Sequence, residues 1–217
     1  MKFPFLESPR LVTFDWHIVQ VMKWLEFDGG RELDSVLVYA AVELRAAIER
    51  YLFELLYLLK ECDFTKDDEK RCRSIKGIFA MMSETDRFYR KTIEFTKLVV
   101  SITPGLPEIT FVDTAYLNKK WKELSEYCHM QLRPEETFES IGKKFQKRGF
   151  ALIRKVLQKF NEWTVESNCG VLKRSSLPEE VRDVYDKFIH EKIDTQQARR
   201  MLVLMEPILR GRRGQSI

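Results

Sequence analysis

Lys122 and His129 stand seven residues apart, and at 100° per residue an α-helix brings such a pair nearly into line two turns along. Asn118 and Ser125 complete the same polar stripe. An imidazole gives or takes a proton near neutral pH, and a neighbouring cation holds phosphate charge as it develops. Such a stripe could cleave a phosphodiester. His129 would serve as general acid or base, Lys122 would stabilise the phosphate, and Ser125 and Asn118 would orient nearby groups. The plainer alternative is a His that is simply exposed or hydrogen-bonded on a polar helical face.

A second pattern is electrostatic. Lys143, Lys144, Lys147, Arg148, Arg154, Lys155 and Lys159 fall within one sector of about 160° on a helical projection, and no acidic residue interrupts them. Phe145, Phe150, Ile153, Val156, Phe160 and Trp163 take the other side. A solvated helix face usually mixes signs, so a single-sign face is a candidate footprint for nucleic acid or, as the lesser alternative, for an anionic membrane surface. Arg199, Arg200, Arg210, Arg212 and Arg213 load the C-terminal end, either as an extension of that footprint or as a basic tail.

Arg45 and Glu49 form a third candidate. They sit at the edge of the apolar stripe made by Leu37, Ala41, Leu44, Ile48, Leu52, Leu55 and Leu59, where a bland helix would place no charge. They read either as an i,i+4 pair that satisfies itself in a half-buried groove or as an interface or site wall. His17 and His190 read as structural. The cysteines, Cys62, Cys72, Cys128 and Cys169, make no C-x-x-C pair and have no His at ligand spacing, so no metal site or cofactor is expected and the thiols read as reduced.

These residues need elements to position them, and proline and glycine divide the chain into helix-length pieces. The spacing predicts helices over about 15–27, 31–61, 66–82, 83–103, 114–132 and 135–165, the second and sixth being unusually long. Two shorter helices, opening near Pro178 and Asp194, read as a C-terminal appendage over residues 171–217 carrying the basic tail. Ile109–Val112 is the one strand candidate, too short to build a sheet. The class expected is all-α, a bundle of about seven to eight helices with one core over residues 1–170. With 217 residues, 44% of them hydrophobic and 32% charged, the chain can bury such a core. No apolar run approaches the roughly 18 residues that a spanning helix needs. The first ten residues hold Pro4, Glu7 and Pro9 where a secretory signal would be apolar, so a cytoplasmic location is expected.

Two segments, Ala41 to Glu49 and Glu123 to His129, resemble the HEPN superfamily of helical bundles, many of which are metal-independent ribonucleases of toxin or defence type or inactive relatives of these. The family motif is an Arg followed by four to six residues and then His. Here Lys122 occupies the Arg position, and Lys offers a point charge where Arg grips phosphate with a planar fork. The resemblance covers about residues 31–165 and implies an RNA ligand and a homodimer with two His-bearing helices facing across a cleft. The contrasting reading is a noncatalytic interaction protein, antitoxin-like or scaffolding, in which the groove at Arg45 and Glu49 meets a protein partner.

Overall fold

The computed structural model describes residues 12–61, 63–103, 105, 109–128, 140–163, 168–169 and 172–211. Nine helices lie among them: α1 Phe14–Asp28, α2 Asp34–Leu59, α3 Lys66–Arg71, α4 Ile75–Ile102, α5 Thr114–Ser125, α6 Ser140–Asn161, α7 Glu179–Ile189, α8 Thr195–Leu204 and α9 Glu206–Gly211. Two-residue strands at Ile109–Thr110 and Asn168–Cys169 pair in parallel, with Ile109 opposite Asn168. The protein is all-α, and among the described residues no helix is long and apolar enough to cross a membrane.

The chain forms two compact units, Met1–Leu55 with Asp113–Val165 and Leu56–Val112 with Glu166–Ile217. This departs from the single core with an appendage after residue 170. In the second unit Val181, Val184, Tyr185 and Phe188 of α7 are buried with Phe95 and Val99 of α4, and Ala198 and Leu202 of α8 close the same cluster. The C-terminal helices are therefore half of a core. Their amphipathic stripes had no partner visible in sequence because α4 lies about eighty residues earlier.

Helix boundaries follow local capping. Gly29 ends α1 in the left-handed region at φ 57°, its N–H bonding to Glu26 O and Leu25 O. The buried Asp28 carboxylate then accepts from the backbone N–H groups of Gly30, Glu32 and Leu33, so α2 starts at Asp34 and not at Arg31. Burial pushes the Asp28 carboxyl up, but these backbone donors outweigh it and hold it below the ordinary value. The expected break at Ser83 is absent: Ser83 lies inside the 28-residue α4. The break falls instead at Cys72–Ser74, where the Ser74 side chain accepts from Gly77 N. Thr65 caps α3 in a reciprocal arrangement with Asp68.

Within the first unit, Phe14 of α1 packs edge-on to Tyr51 of α2 and stacks on Phe160 of α6. Tyr127 lies 4.6 Å from Phe145 between ring centroids. Gly149 sits where a Cβ would come within 2.7 Å of both Leu37 Cδ1 and Tyr127 Cε1, so its hydrogen lets α6 lie close to α2.

Candidate nucleic-acid interface

Helix α6 folds as its pattern dictates. Phe145, Phe150, Ile153, Val156 and Phe160 are at most 3% exposed, and the other face carries the cations. Lys144, Lys147, Arg148, Arg154 and Lys155 are all exposed, and among the described residues no carboxylate lies within ion-pair distance of any of them. Arg148 and Arg154 rest against the rings of Phe145 and Phe150, with guanidinium carbons 5.9 and 5.7 Å from the centroids. Such contacts anchor the stems and leave the heads to water. Lys159 differs: it is half-buried, bonds Glu162 at 2.7 Å and lies 5.5 Å from the Trp163 ring centroid. It closes the basic face and does not extend it. The side chain of Lys143 is outside the described residues.

The α5 stripe lies only in part among the described residues. Lys122 is exposed. Ser125 Oγ donates to Trp121 O at 2.8 Å, so that hydroxyl is engaged with its own helix. Asn118 is half-buried, and its Oδ1 has no hydrogen-bond partner among the described residues. His129 is outside the described residues. The α-helix ends at Ser125 and not near Leu132, and Glu126 N and Tyr127 N bond three residues back in tighter turns. The seven-residue alignment of Lys122 with His129 assumed unbroken α-helix, and the helix stops four residues short of His129.

The pair on α2 closes upon α5. Arg45 and Glu49 approach to 3.9 Å, Trp121 Nε1 donates to Glu49 Oε1 at 2.7 Å, and the Arg45 guanidinium lies 4.3 Å above the Trp121 ring. Arg45 Nε is buried without a hydrogen-bond partner among the described residues. Glu49 thus holds two groups across two helices, which answers why charges interrupt the apolar edge. Nothing in sequence pointed to Trp121, because it stands 72 residues from Glu49.

No family model, curated protein or solved structure matches this chain.

The remaining candidates are structural in their contacts. His17 Nδ1 lies 2.7 Å from Glu43 Oε2, and His190 Nδ1 lies 2.7 Å from the backbone oxygen of Asp186. Cys72 and Cys128 are free thiols, and burial pushes the Cys72 thiol up. The Cys169 side chain and Cys62 fall outside the described residues. Among the described residues no three His, Cys, Asp or Glu side chains converge as a metal ion would require. Arg199 and Arg200 are exposed on α8 of the second unit; Arg212, Arg213 and the side chain of Arg210 fall outside the described residues.

Proposed function

We propose that this chain is an RNA-binding helical protein whose contact surface is the exposed face of α6. The observation that carries the reading is a row of five exposed cations without a carboxylate partner among the described residues. Charge of one sign on an ordered helix is what a polyphosphate backbone rewards, through release of its condensed counterions. A membrane surface fits less well. An interfacial helix needs a free apolar face, and that of α6 is spent on the core of its own unit. The likeness of segments 41–49 and 123–129 to HEPN proteins points to the same class of ligand.

Affinity for a mixed-sequence RNA, measured by fluorescence anisotropy across a salt series, is expected to fall with a log–log slope of about −4 for five phosphate contacts. Reversing Lys147 and Arg154 together (K147E/R154E) should reduce that slope by about 2 and weaken binding at every salt concentration. A flat salt response, or unchanged binding by the double variant, would reject the reading. Cleavage is a separate step of the proposal and requires His129 to come beside Lys122. Incubation of RNA with the wild-type chain and with His129→Ala tests it. Scission lost in the variant supports general acid–base catalysis by His129, whereas equal scission, or none by either protein, removes that role.

A further inference from the structure

The arrangement of the cations on α6 says more than their number. Lys147 and Arg148 are neighbours, as are Arg154 and Lys155, and each pair diverges by about 100° around the helix axis. Seven residues separate the two pairs, an axial rise of about 10 Å, after which the helix has returned to nearly the same azimuth. The four residues therefore mark the corners of a rectangle. Ala151 stands at its centre, exposed, three residues from Arg148 and three from Arg154. Gln158 is exposed seven residues beyond Ala151 on the same strip, its Nε2 donating to Glu162 Oε1 at 3.3 Å. The face thus has a low middle, walled on both sides by long cations.

We infer that the ligand of this face is double-stranded RNA, held by its phosphates across the shallow minor groove; the inference rests on the RNA-binding reading above. Two parallel cation rows address two phosphate backbones at once, whereas a single strand engages one row and leaves the other idle. The short methyl of Ala151 lets the helix backbone approach the groove floor, where the 2′-hydroxyls of an A-form duplex lie, and the side-chain carbonyl oxygen of Gln158 can accept from one of them. Single-strand recognition is poorly served. It depends on aromatic side chains on which bases stack, and the aromatics beside these cations, Phe145 and Phe150, are 3% and 0% exposed. With Ala151 at the centre, no side chain there reads base edges, so binding follows duplex shape and is nearly independent of sequence.

The test compares the full chain against three labelled probes of about 20 nucleotides or base pairs in matched salt: an RNA duplex, an unstructured single RNA strand, and a DNA duplex of the same sequence. The RNA duplex should bind at least about tenfold tighter than either other probe. Ala151→Phe adds bulk at the exposed centre without changing charge, so it should weaken duplex binding by about fivefold or more and leave single-strand binding unchanged or improved through stacking. Circular dichroism matching the wild type establishes that the variant is folded. Equal or tighter binding of the single strand, or an Ala151→Phe variant that binds duplex normally, overturns the inference and leaves RNA binding intact. Equal affinity for DNA duplex overturns the choice of RNA. No binding of any probe overturns both proposals.

Discussion

Glu49 accepts the Trp121 indole N–H while standing 3.9 Å from Arg45, and so ties α2 to α5 through one carboxylate. Glu49→Ala leaves a partly buried indole N–H without that acceptor and Arg45 without its countercharge. The expected cost is about 1–3 kcal/mol, measured by chemical denaturation, and Glu49→Gln should restore part of it. Asp68 makes a different prediction. Hydrogen bonding from Lys60 Nζ, then from the Thr65 backbone and hydroxyl, pushes its carboxyl down to about 2. Its folded value lies below the ordinary 3.8, so the stability it confers is fully present above about pH 4 and is lost as pH falls towards 2. In thermal melts followed over that window, the gap between wild type and Asp68→Asn should narrow steadily with acidification. An i,i+4 pair such as Arg45 and Glu49 is visible in sequence as a pair, but the indole that completes it is not, since nothing local encodes a contact across 72 residues.

At the scale of the element, α6 turns a buried apolar face to the core of its unit and an exposed cationic face to solvent. Ile153, wholly buried, belongs to the core face, and Ile153→Ala should cost about 2–5 kcal/mol in unfolding experiments. Gly149 also belongs to that face. An Ala in an open helix position normally stabilises by up to about 1 kcal/mol over Gly. Here the new methyl meets Leu37 and the Tyr127 ring at 2.7 Å, so Gly149→Ala is expected to lower stability by about 1–3 kcal/mol. A rise in the melting temperature would show that α2 and Tyr127 yield more readily than close packing suggests. The amphipathic period of α6 was legible because every residue in it obeys one repeat. The boundary between α3 and α4 was not, since Ser83 looks as good a cap as Ser74. A cap is used only where the chain turns, and the buried positions of Met81 and Met82 carry α4 straight through Ser83.

At the scale of the whole molecule, each compact unit is assembled from two stretches distant in sequence. Phe188 makes the point. It is buried on α7 with its ring centroid 5.9 Å from that of Phe95 on α4, and Phe188→Ala should cost the second unit about 3–5 kcal/mol. Truncation after residue 170 should be worse. It strips Phe95 and Val99 of their cover, and the shortened chain should lose cooperative unfolding and bind a hydrophobic dye. A stable, cooperatively folding 1–170 fragment would count against the shared core.

The sequence by itself determined the all-α class, the amphipathic faces and the single-sign charge of α6, because each depends on periods of a few residues. Tertiary structure alone decided that the C-terminal helices complete a core with α4, that Trp121 joins Arg45 and Glu49, and that α5 stops before His129. Those outcomes turn on which apolar stripes find each other, and burial favours any good fit without marking the partner in either segment. For the cations of α6, the sequence supplied the row. The packing of Phe145 and Phe150 beneath it decided that the face turns its charge to solvent and withholds its aromatic rings.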